Sequence, residues 1–195
     1  LYFRNKAGHH PTMPRTKPVH HPIAADAPAW CAPSHRAAYI ARLKDDLAQQ
    51  SSLGRLSLWL PLHTRLGGAA YSFKDHEYQI PILDSRHHDS CLVKPSQMAI
   101  TELSVRMLLA LLCIEPEITI LYLMPTDTEA MRVSKSRIDP IIRGSKTISP
   151  LLVAGSDAAS FKQIGGSQLF MSGAFGKPVI SIPADIIFID ELDFC

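Results

Sequence analysis

Two acidic residues directly follow a short apolar run near position 190 of the sequence. Ile186 to Ile189 are all apolar, and Asp190 and Glu191 come next. Ligands of open α/β sheets bind outside the carboxyl ends of strands, so these carboxylates stand where a phosphate compound could be processed. One carboxylate there can hold Mg²⁺, and its neighbour can polarise a water that attacks a γ-phosphate. In this interpretation Asp190 binds Mg²⁺ and Glu191 polarises the attacking water. The alternative is a solvent-facing strand end that carries two acids.

A second candidate is the segment "KPSQMAITELS", residues 94 to 104, which lies between an apolar stretch and a long apolar helix. The usual phosphate loop reads G-x-x-x-x-G-K-[ST], and Ala99 and Ile100 occupy the positions of its last Gly and its Lys. The helix N-terminus would still face an anion, and the Thr101 hydroxyl would face Mg²⁺. Lys94 is flexible enough to reach the phosphates from the start of the loop. The alternative is a solvated lysine followed by an ordinary helix cap.

The elements around these residues alternate between strand and helix. A strand at "SCLV" precedes the loop, and "ELSVRMLLALLCI" is a buried helix ended by Pro116. The β-branched run "EITILYLM" is the next strand, and a capping box, Thr126-x-x-Glu129, starts a helix that runs to about Asp139. After a polar, Gly-rich passage, "QLFMSG" and "PVISI" are two short strands that could pair, and "ADIIFIDELD" is a buried strand. This order predicts parallel βαβ units.

The preceding residues divide into two parts. Residues 1–33 hold six of the fifteen prolines and one acid, which predicts a flexible basic arm. Residues 34–88 form a lead-in: a surface helix from Ser34 to about Ser51, then an approach segment without sustained periodicity. Residues 89–195 are then the regular core. The sequence begins without Met and reaches Cys195 just after a strand-like segment, so we expect it to be a fragment.

Composition excludes several classes of protein. With 195 residues, 46% of them apolar and 19% charged, the chain is typical of globular domains, and its net charge of +2 does not argue nucleic-acid binding. The four cysteines form no C-x-x-C pair, which favours a reducing compartment over a zinc site or disulfide framework. The longest apolar run, Met107 to Ile114, is far below the ~20 residues that span a bilayer. The three His-His pairs lack the spacing of a zinc site.

Three stretches together resemble a known family. They are "LVKPSQMAITE", "ITILYLMPTDTEAMRVSKSRIDPIIR" and "PADIIFIDELD". In this order they are similar to the N-terminal ATPase of the large terminase subunit of tailed bacteriophages, in its lambda-like branch, over roughly residues 70 to 195. The resemblance implies an α/β fold, a P-loop NTPase of the ASCE type. Its parallel sheet would be flanked by helices, truncated after the Walker B strand and preceded by the flexible N-terminal arm. In that class a later strand inserts beside the loop strand, so we expect this sheet to be incomplete.

The resemblance also implies a site, with ATP and Mg²⁺ as cofactors. Lys94 would be the phosphate lysine, Thr101 and Asp190 the Mg²⁺ ligands, and Glu191 the catalytic carboxylate. Ala99 departs from the family's usual Gly, and if that position needs φ > 0 its Cβ costs about 1 kcal/mol. An aromatic residue upstream would stack on the adenine, with Tyr71, Phe73 and Tyr78 as candidates and core packing as the alternative for each. The whole loop would bind nucleotide: Lys94, Pro95, Ser96, Gln97, Met98, Ala99, Ile100 and Thr101.

The family's function is the packaging of double-stranded DNA into a procapsid. The implied partners are double-stranded DNA, the small terminase subunit, the portal protein and further copies in a ring on the portal, in the bacterial host cytoplasm. We expect the family's nuclease domain to lie beyond Cys195, outside this chain. Lys135 and Arg137 are cations that could sense phosphate or DNA, or could simply be solvated. Two rival hypotheses stay open: a D-E-x-D-box helicase-like ATPase, and an inactive terminase fragment that acts as an assembly module.

Overall fold

The computed structural model describes residues 2–5, 55–85, 89–93, 97–115, 117–175 and 181–191, with the backbone alone for residues 2–5. Its strands are β1 (Tyr2–Asn5), β2 (Arg65–Leu66), β3 (Ala69–Ala70), β4 (Asp89–Cys91), β5 (Thr119–Met124), β6 (Leu152–Ala158), β7 (Phe161–Ile164), β8 (Ser167–Gly173) and β9 (Ile186–Ile189). Its α-helices are α1 (Leu56–His63), α2 (Gln79–Leu83), α3 (Ile100–Ile114), α4 (Asp127–Val133) and α5 (Asp139–Gly144). A π turn (Ser134–Ile138) joins α4 to α5, and a 3₁₀ turn (Ser149–Leu151) precedes β6.

Within the described residues, seven strands form one sheet in the order β4-β1-β9-β5-β8-β7-β6, and β2 and β3 form a separate hairpin. Strand β5 pairs in parallel with both β8 and β9, whereas β1 is antiparallel to both β4 and β9. Strand β4 therefore runs in the same direction as β9, β5 and β8. The carboxyl ends of these four strands lie at one edge of the sheet, where α/β folds place their ligands.

The two faces of the sheet follow from the strand period of two. Tyr122 and Phe188 belong to the main hydrophobic core, together with the buried side of α3. Leu121 and Ile187, their chain neighbours, belong to a smaller cluster on the opposite face. Because alternate residues share a face, the residue two positions after Phe188 is directed toward the main core and α3.

The capping box places α4 as the sequence predicted. The Glu129 amide donates to Thr126 Oγ1 at 3.2 Å, and the Thr126 hydroxyl donates to Glu129 Oε2 at 2.9 Å. The helical path continues beyond the predicted end near Asp139 and reaches Gly144 through the π turn. Pro140 explains the local widening, because proline has no amide proton for the carbonyl four residues before it and its ring pushes that carbonyl away.

A close approach fixes α4 against β8. The Gly173 amide and the Ser172 hydroxyl both donate to Asp127 Oδ1, at 2.6 and 3.1 Å. A Cβ on Gly173 would lie 2.7 Å from the Asp127 nitrogen, which is too near for any side chain. The carboxyl end of β8 and the amino end of α4 are therefore held together at a position that only glycine fits.

A buried ion-pair cluster joins β7 to the start of α5. The side chain of Lys162 is fully buried, and its Nζ lies 2.6 Å from Asp139 Oδ1 and also contacts Asp157. Lys135 and Arg143 each lie 3.2 Å from Asp139 Oδ2. Burial alone would raise the pKa of Asp139, but the hydrogen bonds and charges of Lys162 and Lys135 hold that pKa below its ordinary value. The carboxylate is thus charged in the folded protein at neutral pH.

The sheet differs from the predicted parallel one in two ways. First, it is mixed, because β7 is antiparallel to both β6 and β8. Second, residues 2–5, which the sequence assigned to a flexible arm, form β1 between β4 and β9, so the gap expected beside the loop strand is filled in this sheet. A four-residue run is too short to show a strand period, and its partners are remote in sequence. The rest of residues 1–33 and the helix predicted from Ser34 lie outside the described residues.

The segment between α5 and β9 was also predicted incompletely. The polar, Gly-rich passage contains the β6–β7 hairpin, and β8 pairs with β5 and β7. Strand β8 lies between β5 and β7, so the suggested pairing of "QLFMSG" with "PVISI" is wrong. Of the second segment, Ser181 and Ile182 are described, and they belong to no strand. Strand β6 is mostly exposed, so burial could not impose the apolar pattern by which sequence analysis finds strands. Among the described helices, none has the length and apolar character needed to cross a membrane.

Candidate active site

Asp190 lies at the carboxyl end of β9 and is fully buried. Its amide donates to the Leu123 carbonyl at 2.9 Å, which extends the ladder with β5 by one residue. Its side chain faces Tyr122 on β5, whose hydroxyl donates to Oδ2 at 2.8 Å, while the Glu191 amide donates to Oδ1 at 3.0 Å. A hydrogen bond at each oxygen fixes the orientation of the carboxylate. The sequence therefore located this residue correctly at a strand end.

Tyr122 is a partner that the sequence analysis missed. Burial raises its pKa well above the ordinary value, and the charge of Asp190 and the hydrogen bond to it raise the pKa further. The hydroxyl thus keeps its proton and remains a donor to Asp190. The sequence predicted both β5 and β9 but not their register, which puts Tyr122 opposite Phe188. That register is the information needed to find the contact between Tyr122 and Asp190.

Glu191 follows with an exposed side chain and a left-handed backbone, φ 53°. A non-glycine residue in this region costs on the order of 1 kcal/mol, and such strain clusters at functional sites. The turn separates the two acids: Asp190 is directed into the protein, whereas the side chain of Glu191 is on the surface at the same edge of the sheet. Two adjacent carboxylates therefore have different environments.

The loop before α3 is described from Gln97 onward; Lys94, Pro95 and Ser96 lie outside the described residues. Gln97 has φ 64° and Ala99 has φ 51°, so both adopt the left-handed conformation. The condition under which a Cβ at position 99 is unfavourable is therefore met, and Ala99 carries a Cβ where glycine is preferred. Ile100 is the first residue of α3 and is buried, and Thr101 is the second and is half-buried. Thr101 is therefore inside the first turn of α3, whereas the sequence placed it just before a helix that begins at Glu102.

Tyr78 contacts this loop directly. Its hydroxyl donates to the Met98 carbonyl at 2.6 Å and lies 3.2 Å from His76 Nδ1. Tyr71 and Phe73, the other aromatic candidates, instead pack edge to face at 5.2 Å in the core region. Of these three side chains, Tyr78 is the one whose hydrogen bond reaches the loop.

Gln79 lies beside Tyr78 and was not singled out from the sequence. It is 1% exposed, and its Oε1 accepts a hydrogen bond from the Tyr71 hydroxyl at 2.7 Å. Its Nε2 is buried without a hydrogen-bond partner among the described residues. A buried amide donor in this state marks a position where a ligand or water is expected. Its segment lacked any period, so no sequence signal beyond the residue type pointed to it.

An ion-pair network surrounds the first turn of α3. Glu102 Oε1 lies 2.8 Å from Arg106 Nη1, and Glu102 Oε2 lies 2.8 Å from Arg137 Nη1. Arg106 is fully buried, stacks over the Tyr71 ring at 4.6 Å and donates to the Arg65 carbonyl at 3.0 Å. Arg137 is on the π turn and is 44% exposed. The network therefore links the start of α3, the aromatic pair beneath it and the helix that follows β5.

The loop and the acids lie at the same edge of the sheet. The loop follows β4 and Asp190 follows β9, and one strand, β1, separates β4 from β9. Neighbouring strands are about 4.8 Å apart, so the two strand ends are roughly 10 Å from each other. A ligand of the length of a triphosphate spans this distance. The structure thus brings Gln97 to Thr101 and the two acids to one end of the sheet.

The donor set at this edge suits Mg²⁺. The ion prefers hard oxygen ligands and keeps several waters, so proteins hold it through one or two side chains together with substrate phosphates. The Asp190 carboxylate and the Thr101 hydroxyl are oxygen donors of this kind. Within the described ranges, no cluster of three or more His, Cys, Asp or Glu residues could hold a metal alone.

These features define an α/β domain with a candidate ligand site at the carboxyl edge of a mixed sheet. The family model described as phage terminase large subunit gpA, ATPase domain, matches residues 76–195, more than half of the chain. The chain belongs to this family, which confirms the resemblance found in the sequence. Comparison with curated proteins gave no match, and comparison with solved structures gave none either.

Proposed function

We propose that this chain binds Mg²⁺ and ATP between the 94–101 loop and the acids after β9, and that it hydrolyses ATP. The observation that carries the proposal is the Asp190 carboxylate, fully buried at the end of a parallel strand and oriented by Tyr122 at 2.8 Å. Burying a carboxylate is costly unless hydrogen bonds or an opposite charge compensate it. Phosphate sites occur where a strand ends beside a loop that leads into a helix. Membership of an ATPase-domain family supports the same chemistry.

In this proposal each residue has one task. Thr101 and Asp190 hold Mg²⁺, which when bound supplies positive charge to the phosphate oxygens. Lys94 and the backbone N–H groups at the start of α3 bind the phosphates. Glu191, exposed beside Asp190, orients the attacking water, and Tyr78 packs on the base while its hydroxyl bonds to the loop. Catalysis is then mainly positioning and electrostatic stabilisation.

We further propose that hydrolysis drives double-stranded DNA into a procapsid. Family membership supports this role, and the partners that follow from it are DNA, the small terminase subunit, the portal and further copies of the chain in a ring. The place of action would be the cytoplasm of the bacterial host, transiently on the procapsid. The described residues support the ATPase step of this role most directly, so the first experiment addresses that step.

The experiment measures Mg²⁺-dependent release of phosphate from ATP by the purified chain and by two variants. Lys94→Ala removes the proposed phosphate cation, and Glu191→Gln removes the carboxylate that orients water. We expect both to lower kcat by at least about 100-fold, since general-base and charge-stabilising groups each contribute on that order. Glu191→Gln should still bind ATP, because the proposed role of Glu191 lies in the chemical step.

Glu129→Gln is the matched control, because Glu129 is an acid at the start of α4 whose side chain takes part in a helix cap. It should leave turnover within about twofold, since a glutamine preserves a capping box. If the wild-type chain neither binds nor hydrolyses ATP, and Lys94→Ala changes nothing, the ATPase proposal is wrong and an assembly role for the chain is favoured.

A further inference from the structure

Arg137 stands out among the cations near the candidate site. It lies on the π turn after α4, and π turns within helices are frequent at functional sites. Its guanidinium pairs with Glu102 at 2.8 Å in the first turn of α3, next to Thr101. Arg137 therefore lies against the first turn of α3.

Two other described cations of this region, Arg106 and Lys162, are buried in ion pairs. Arg106 is fully buried, pairs with Glu102 and is stacked over Tyr71. Lys162 is fully buried against Asp139 and Asp157. Arg137, in contrast, is 44% exposed, and the one ion-pair partner recorded for it among the described residues is Glu102.

Charge at the start of α3 is also in excess of what Glu102 can neutralise. Two arginines share this single carboxylate, each at 2.8 Å, so the trio has a formal charge of +1. A guanidinium has five N–H donors in a fixed plane, and one ion pair does not exhaust them. Such a group, placed beside a phosphate loop, is suited to bind a further phosphate oxygen.

We propose that Arg137 is a specificity-determining residue that reads the γ-phosphate and so distinguishes ATP from ADP, with Glu102 as its positioning residue. The inference rests on the proposed nucleotide site. A γ-phosphate, the group nearest the acids after β9, would lie between those acids and the helix start, where the exposed guanidinium can reach it. ADP lacks that group and gains nothing from Arg137.

The test compares affinities for ADP and for a non-hydrolysable ATP analogue, each with Mg²⁺, by titration of the full chain. Arg137→Ala should weaken binding of the ATP analogue by at least about tenfold, as expected for a lost charge-assisted hydrogen bond, and should change the ADP affinity less than about twofold. Arg137→Lys keeps the charge and should restore part of the loss. Arg132→Ala is the matched control, because Arg132 lies on the preceding helix with its side chain 70% exposed.

Several results would overturn the inference. Equal weakening of ADP and the ATP analogue would show a structural role for Arg137, and circular dichroism of the variants would reveal any loss of fold. If Arg137→Ala leaves both nucleotide affinities unchanged but weakens binding of double-stranded DNA, Arg137 contacts DNA and not the γ-phosphate. If the wild-type chain binds nucleotide and Lys94→Ala abolishes this binding, an unchanged affinity of Arg137→Ala for the ATP analogue overturns the γ-phosphate role of Arg137 alone. If the wild type binds neither nucleotide, both proposals are wrong.

Discussion

At the scale of single residues, Ala99 shows a conflict between local structure and sequence. The residue caps α3 in the left-handed conformation, φ 51° and ψ 23°, where a Cβ is unfavourable. Glycine adopts this conformation freely and is also an acceptable residue at a helix N-cap. The loop therefore retains the backbone geometry of its motif while lacking the residue best suited to it.

We expect Ala99→Gly to increase the free energy of unfolding by about 1 kcal/mol, because the strain of the Cβ is removed. Urea unfolding followed by circular dichroism measures this change. The matched control is Ala110→Gly in the same helix, which should lower the free energy by about 1 kcal/mol since Ala110 is in the buried helix interior. Destabilisation of both variants by similar amounts would contradict the interpretation of position 99.

Individual site residues were predictable to different degrees. Asp190 and Glu191 were found from the sequence because an apolar run followed by two acids is a local pattern. Tyr122, which orients Asp190, was not found, since a cross-strand contact depends on register between distant segments. Arg137 was noted as a cation that could sense phosphate or DNA, but its pairing with Glu102 was not predicted, because it depends on how two helices pack.

At the scale of elements, the junction of β8 with α4 depends on a single glycine. Gly173 leaves no space for a side chain, as a Cβ there would be 2.7 Å from the Asp127 nitrogen. The neighbouring atom is backbone, so it cannot rotate away as the end of a flexible side chain would. This contact fixes α4 relative to the sheet, and with it the π turn that carries Arg137.

We predict that Gly173→Ala lowers the free energy of unfolding by roughly 2–3 kcal/mol, in the range observed for overpacked cores. Gly144→Ala is the comparison, because a Cβ at Gly144, the last residue of α5, meets nothing within 4 Å. That variant should be neutral or slightly stabilising, as alanine restricts the unfolded chain more than glycine. Thermal unfolding of the two variants side by side tests the difference, and a neutral Gly173→Ala would show that α4 can move away from β8.

Elements with strong local signals were predicted well. The buried helix α3, the strand β5 and the capping box of α4 all match, because burial and capping leave a pattern in neighbouring residues. The β6–β7 hairpin and β1 were missed. In the hairpin, β6 is largely exposed at the sheet edge, and β1 is held by long-range pairing that no local pattern encodes.

At the scale of the whole molecule, the cluster around Asp139 connects the far strands of the sheet to the helical segment. We expect Lys162→Met to lower the free energy of unfolding by about 3 kcal/mol, because removing one partner of a buried pair leaves the other charge without full compensation. Lys135→Met changes a cation on the same carboxylate, but Lys135 is 54% exposed. It should cost less than about 1 kcal/mol, as is typical of surface ion pairs. Equal costs, measured by urea unfolding, would show that burial of Lys162 is unimportant.

The same cluster predicts a dependence on acid. The pKa of Asp139 is held below its ordinary value of 3.8, so its ion pairs stabilise the protein above that pH. This contribution should be lost as the pH falls from about 4 through the lower folded-state pKa, since the folded protein must then take up a proton. Urea unfolding between pH 2 and 7 should show a shallower decline for Asp139→Asn than for the wild type. If the free energy of unfolding falls equally with pH in both proteins, Asp139 does not contribute to acid destabilisation.

Strand β1 has a consequence for how the two parts of the candidate site are held together. Tyr2 pairs with Cys91 on one side and with Ile189 on the other, so β4 and β9 share no direct ladder in the described sheet. Backbone hydrogen bonds between the loop strand and the strand of the two acids therefore pass through four residues. Release of so short a segment, as in the local opening events seen by hydrogen exchange, would break that connection while leaving the β9-β5-β8 ladder intact. The spacing between loop and acids thus has its own local stability, separate from the stability of the domain.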